Sequence, residues 1–121
     1  MATILLAEDD HSMRDFLCKA LERAGHVVTS CADGDEGMRS LKAAAGSYDL
    51  LLTDIVMPGM DGIELARAGA DLDPSMKIMF ITGFAAVALN PNSGAPVDAK
   101  VLSKPFHLRD LVNEVDCVMA A

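Results

Sequence analysis

Short apolar runs alternate with stretches in which apolar residues recur every three or four positions. Residues 3–8, built on Ile4-Leu5-Leu6-Ala7, read as a strand. Residues 12–24 read as a helix, with Met13, Phe16, Leu17, Ala20, Leu21 and Ala24 at helical spacing. Ser12 and Asp15 stand at capping-box spacing, and Gly25 supplies a stop. Val27 to Cys31 is short and β-branched, which predicts a second strand. Asp33 is placed to cap a second helix whose inner stripe is Met38, Leu41 and Ala45. Leu50 to Thr53 is apolar without alternation, as a strand covered on both faces requires. Beyond the Met57-Pro58-Gly59 turn, Asp61 is placed to cap a third helix that ends before Asp73-Pro74. Met76 to Thr82 gives a fourth strand, and Val101-Leu102 lies in a fifth. Residues 107–119 form a last helix, with Leu108, Leu111, Val112, Val115 and Val118 inward.

Strands separated by helices imply right-handed βαβ units and a parallel sheet. The fold expected is therefore α/β: a (βα)5 doubly wound, five-stranded parallel sheet, with residues 1–121 forming a single domain. The pattern weakens over residues 84–98. Phe84 to Leu89 has the composition of a short helix, but Asn90-Pro91-Asn92-Ser93-Gly94-Ala95-Pro96 is loop chemistry. Helix 4 is expected to be short or irregular.

Composition narrows the function. With 51% apolar residues the chain can bury a sizeable core, so disorder is a poor explanation. A net charge of −8 argues against nucleic acid, whose phosphates need clustered Lys and Arg, and against an anionic membrane surface. A cation, or a partner with a basic face, fits better. The start of the chain lacks the basic segment of a signal peptide, and no apolar run reaches the ~20 residues that span a bilayer. Cys18, Cys31 and Cys117 lack metal or CxxC spacing and read as buried thiols of a reducing cytoplasm.

The chemistry gathers at the strand ends. Parallel strands bring their carboxyl ends to one edge of the sheet, where such folds place their sites. That edge collects Glu8 and Asp9 after the first strand, Asp54 after the third, Thr82 at the end of the fourth and Lys104 after the fifth. Carboxylates this close repel one another unless a cation intervenes, and a ligand set made only of oxygen suits Mg²⁺. Asp54, alone on a central strand, is the natural nucleophile toward phosphorus. Mg²⁺ would neutralise charge on the transferring group, Lys104 could hold one phosphoryl oxygen as a point charge, and Thr82 another by a hydrogen bond. Asp10 and Asp61 read as helix caps, His11 and His107 as surface histidines, and the eight methionines mostly as core packing.

These marks, with the run Asp54-Ile55-Val56-Met57-Pro58-Gly59-Met60-Asp61-Gly62 and the pair Lys104-Pro105, resemble those of response-regulator receiver domains over essentially the whole chain. The resemblance implies a CheY-like (flavodoxin-like) fold and phosphorylation of Asp54 by a phosphohistidine on a histidine kinase or histidine phosphotransferase. It also implies Mg²⁺ held by Asp9, Asp54 and the backbone carbonyl of Val56, with Glu8 assisting through water, and a cis bond between Lys104 and Pro105. Two features depart from the family: Val101 stands where an aromatic residue is usual, and the proline-bearing segment 90–96 falls where the family's fourth helix helps form the output face. Output is therefore expected through a remodelled helix-4 region, with Phe84 or its neighbours as reporter.

Within the family, Ile81-Thr82-Gly83-Phe84-Ala85-Ala86 and Leu102-Ser103-Lys104-Pro105-Phe106 resemble CpdR-type regulators of alphaproteobacteria. That likeness implies an adaptor that, while unphosphorylated, primes the ClpXP protease to degrade cell-cycle substrates. Ala120-Ala121 resembles a recognition tag for that protease. With no output domain expected after residue 121, output is expected through protein contacts. A phosphate shuttle between histidine proteins and a motility switch are the alternatives. An aspartyl phosphatase ranks below them, because Val56 occupies the position where such enzymes usually place a second aspartate.

Overall fold

The computed structural model describes residues 1–120. Strands β1 (Thr3–Ala7), β2 (Val27–Cys31), β3 (Leu50–Thr53), β4 (Lys77–Thr82) and β5 (Lys100–Ser103) alternate with helices α1 (His11–Arg23), α2 (Gly34–Ala43), α3 (Gly62–Leu72), α4 (Ala85–Leu89) and α5 (Leu108–Ala120). All strand pairs are parallel, in the order β2-β1-β3-β4-β5. The (βα)5 doubly wound sheet is thus as expected. Its strand order reverses at β1 and β3, and in open α/β sheets the crevice beyond such a switch point is where ligands bind.

Successive strand residues face opposite sides, so β1, β3 and β4 feed two cores. Leu5, Ala7, Leu51, Ile78 and Phe80 meet α2 and α3 through Leu41, Leu65 and Ala66. Ile4, Leu6, Leu50, Leu52, Met79 and Ile81 meet α1 and α5 through Leu17, Leu21, Leu111, Val115 and Val118. Each fully buried leucine contributes roughly 1.5–3 kcal/mol, and the strands show no alternation because neither face sees water. At the amino ends of the strands the described residues form no comparable carboxylate cluster. There His26 accepts a hydrogen bond from the Ala2 N–H at 3.0 Å and lies 3.7 Å from Asp116.

Several boundaries differ from the sequence reading. Ser12 and Asp15 do not cap α1; Asp10 does, accepting the Met13 N–H at 3.0 Å, so the helix begins one residue earlier. The buried stripe of α1 is Leu17, Ala20 and Leu21, which leaves Phe16 49% exposed on its flank and Ala24 exposed beyond its last turn. Helix α2 stops at Ala43, so Ala45 is exposed rather than inward. Leu108, in the first turn of α5, has not yet reached the sheet and is 38% exposed. Asp33 and Asp61 do cap α2 and α3, bonding the N–H groups of Glu36 and Glu64, each cap worth about 1 kcal/mol. Helix α4 has only five residues and no side-chain cap, and turns and bends occupy most of the path to β5. No described helix is long and apolar enough to cross a membrane. Cys18, Cys31 and Cys117 are free thiols, but only Cys31 is buried; Cys18 is half-buried and Cys117, on the outer side of α5, is exposed.

Candidate functional site

Three of the expected residues sit one position past a strand, and each is held there by one more rung of the backbone ladder. The Glu8 N–H donates to the Cys31 carbonyl at 3.1 Å, the Asp54 N–H to Ala7 at 3.0 Å, and the Lys104 N–H to Thr82 at 2.8 Å. The side chains leave the sheet at its carboxyl edge with their backbones fixed. There the Lys104 ammonium donates to Glu8 Oε1 at 3.0 Å and to Asp54 Oδ2 at 2.9 Å, joining residues 96 and 50 positions away. Asp54 Oδ1 accepts the Ile55 N–H at 2.7 Å, and Glu8 Oε2 accepts the Asp10 N–H at 3.2 Å. The Lys104–Pro105 peptide is cis, as expected.

Glu8, Asp9 and Asp54 each offer an oxygen, and these atoms lie within 4.8 Å of one another. Glu8 is 2% exposed, whereas Asp9 is exposed and has no side-chain hydrogen bond among the described residues. Burial pushes the Glu8 carboxyl above its ordinary value, an effect the hydrogen bonds from Lys104 and the Asp10 N–H only partly offset. For Lys104, burial works to lower the pKa. Its hydrogen bonds to Asp54 and Glu8 outweigh that and hold the ammonium above the ordinary lysine value. Partly solvated carboxylates with no nitrogen or sulfur donor fit a small divalent cation such as Mg²⁺.

The loop from Ile55 to Asp61 closes tightly over this edge. The Gly62 N–H returns to the Ile55 carbonyl at 2.8 Å, and a methyl group at Gly62 would collide with the Asp54 carbonyl. Gly59 adopts a φ of 72°, open to glycine at little cost. Val56 lies on this loop, its side chain exposed. Thr53 Oγ1 donates to the Asp54 carbonyl at 2.8 Å. Fully buried Thr82 accepts the Phe84 N–H on Oγ1 at 2.9 Å, which links the end of β4 to the start of α4.

The remaining expected residues lie apart from this cluster. Val101 pairs with Phe80 in the sheet and is half-buried, and it helps line a pocket of about 210 Å³ with Phe80, Leu89, Pro96, Val97 and Ala99. Phe84 is 57% exposed. Ala120 is the last residue of α5, and Ala121 lies outside the described residues. His11 and His107 are exposed; His11 Nδ1 lies 3.0 Å from Arg14 Nη2, and the His107 N–H donates to Asp110. Sequence reasoning passed over Arg14, Thr53 and Gly62. Arg14 carried a signal: a cation in the first turn of a helix opposes the helix dipole and calls for another reason to be there.

Residues 4–116 match the family model described as response regulator receiver domain. The response regulator receiver protein CpdR of Brucella abortus (strain 2308) is 64% identical over 121 residues, 100% of this chain and 99% of that protein. The sensor kinase CckA of the same organism is 37% identical over 116 residues, 94% of this chain but only 12% of the kinase. Among solved structures, the response regulator TrrA of Thermotoga maritima, in complex with Mg²⁺-BeF, superposes with a TM-score of 0.84 at 27% identity. That match covers 98% of this chain and 99% of TrrA.

Proposed function

The chain belongs to the response regulator receiver domain family, and we propose that it accepts a phosphoryl group on Asp54 and acts through protein contacts as a CpdR-like adaptor. The observation that carries this reading is the Asp54 carboxylate held between the Ile55 N–H and the Lys104 ammonium, with oxygens of Glu8 and Asp9 within 4.8 Å. An Asp54 oxygen attacks the phosphorus of a phosphohistidine. The P–N bond breaks, its electron pair returns to the imidazole, and the imidazole takes a proton from water, leaving an aspartyl phosphate.

Mg²⁺, held by Asp9, Asp54 and the Val56 carbonyl with Glu8 alongside, would neutralise charge on the transferring group. Lys104, already aimed at Asp54, is placed to hold a phosphoryl oxygen. The Thr82 hydroxyl can donate to another oxygen while still accepting the Phe84 N–H. Phosphorylation would thereby reach α4 in two steps, through Thr82 and then Phe84. With Val101 in place of an aromatic, readout falls to the α4 segment, with Phe84 as reporter.

The donor is a histidine kinase or histidine phosphotransferase. The partner of the unphosphorylated form is the ClpXP protease with its substrates, and Ala120-Ala121 serves as a tag for the same protease. Full-length identity of 64% to the Brucella CpdR supports the adaptor reading over a shuttle or a motility switch. Residues 1–121 work as one receiver unit in the cytoplasm.

Incubation with Mg²⁺ and acetyl phosphate is expected to give one hydroxylamine-sensitive phosphate, lost in Asp54→Asn. ClpX is expected to be captured by the unphosphorylated form and released on phosphorylation. No phosphate on the wild-type protein would overturn the acceptor reading; equal capture of both forms would overturn the adaptor reading. Rapid transfer of phosphate in both directions without protease capture would favour the shuttle.

A further inference from the structure

Asp9 differs from the other acids of the site in having no side-chain hydrogen bond among the described residues, so its direction depends on the backbone around it. That backbone is clamped from both sides. On the far side, Asp10 caps α1 through the Met13 N–H, and its own N–H is held by Glu8 Oε2 at 3.2 Å. On the near side, Arg14 Nη1 donates to the carbonyl of Glu8 at 2.8 Å. This carbonyl belongs to the peptide unit that joins Glu8 to Asp9, so the hydrogen bond fixes the plane from which Asp9 departs. The guanidinium is itself braced: Nη2 lies 3.0 Å from His11 Nδ1 on the same helical turn. The two Nη groups of the planar fork meet the two partners in fixed directions, a geometry that the shorter lysine side chain with its single ammonium does not reproduce.

Resting on the reading of Asp9 as a cation ligand, we propose that Arg14 is a positioning residue for Mg²⁺. It holds the Glu8–Asp9 peptide so that the exposed Asp9 carboxylate stays aimed at the acidic cluster, and His11 keeps the guanidinium in register. Coulombic and positional roles predict opposite signs. Arg14 is a positive charge beside a cation site, so deleting it should by itself tighten cation binding. A residue that orients a metal ligand does the reverse, because losing such an outer support typically weakens metal binding by roughly 10- to 100-fold.

The test is calorimetric titration of the full chain with Mg²⁺ in wild-type, Arg14→Met, Arg14→Lys and His11→Ala forms, with thermal melting and amide NMR spectra recorded beside it. Arg14→Met, which keeps the aliphatic stem, is expected to bind Mg²⁺ roughly tenfold more weakly. Its melting curve should stay close to wild type, with shifts concentrated at the Glu8 and Asp9 amides. Arg14→Lys should recover part of the affinity, and His11→Ala should lose less than Arg14→Met. Binding by Arg14→Met that equals or exceeds wild type would overturn the inference, as would an affinity loss matched by general unfolding. Absence of Mg²⁺ binding in the wild-type protein would instead overturn the ligand reading on which the inference rests.

Discussion

The Glu8–Asp54–Lys104 corner and the segment from Phe84 to Val97 lie on one chain and are built on opposite principles. In the corner, each backbone is pinned by a rung of the β-ladder, and the side chains are joined by charge-assisted hydrogen bonds of 2.9–3.0 Å. Residues 84–97 contain no Asp, Glu, Lys or Arg, although the chain as a whole carries 28. They hold one five-residue helix without a side-chain cap, and expose Phe84, Val87, Leu89 and Val97. A phosphoryl acceptor needs geometry that does not yield. Under the proposed function, a reader of that event needs a segment with few strong restraints, since low-stability elements are the ones free to move. Among the described residues, the side-chain hydrogen bond that joins the end of β4 to the first residue of this segment is the one Thr82 Oγ1 accepts from the Phe84 N–H.

The contrast can be broken most severely at Asp54. Asp54→Asn should abolish phosphate uptake from acetyl phosphate while leaving the amide NMR signals of residues 84–97 in place, because the carboxylate's hydrogen-bond partners among the described residues are Ile55 and Lys104. Next in size, Lys104→Ala leaves two neighbouring carboxylates without their ammonium. Without Mg²⁺ its unfolding free energy should fall by roughly 1.5–3 kcal/mol, the worth of hydrogen bonds to charged groups. Chemical denaturation with and without Mg²⁺ checks this, and the cation should restore part of the loss.

A change on the reader side should leave the chemistry alone. Val101→Phe adds an aromatic ring beside the pocket of about 210 Å³, and stability should fall by no more than the roughly 1–3 kcal/mol that overpacking costs, since the pocket can take up part of the ring. Phosphate uptake should be unchanged, while the NMR shifts that a beryllofluoride mimic produces over residues 83–100 should be redistributed. A changed uptake rate would show that the two regions are less separate than their structures indicate.

The smallest effect concerns Glu8 and pH. Its folded-state pKa lies above the ordinary value of 4.5, so the folded protein binds this proton more tightly than the unfolded chain does. The associated stability is fully present below 4.5 and is lost as pH rises through the folded value. Glu8→Gln should therefore lose less stability than wild type as pH increases from about 4.5 toward neutrality. Melting temperatures recorded across that range in the absence of divalent cations would show it, and parallel curves for the two proteins would contradict it.

The sheet and its caps were legible in the sequence because they rest on local rules. Apolar runs without alternation marked strands buried on both faces, and Asp33 and Asp61 stood where caps belong. Periodicity overreached at Phe16 and Leu108, since spacing assigns a side of the helix but not the width of the stripe the sheet covers. Ser12 lost the capping role to Asp10 because both stood in range and only the backbone path chooses between them. The convergence of Glu8, Asp54 and Lys104 was legible through topology, since parallel strands leave their ends on one edge. Arg14 was not. A long side chain near a helix start can point in several directions, and its bond to the Glu8 carbonyl exists only once β1 and α1 are in place.

The bridging ammonium also bears on valence. When fully ionised, Glu8, Asp9 and Asp54 carry three negative charges, and Lys104 removes one of them without any solute being bound. What remains matches the charge of one divalent ion. A monovalent ion leaves the site in deficit and a trivalent ion leaves it in excess, so the lysine makes the corner a counter of charge as well as a cradle of oxygens. With that residue neutralised, the same three acids would suit a different class of ion.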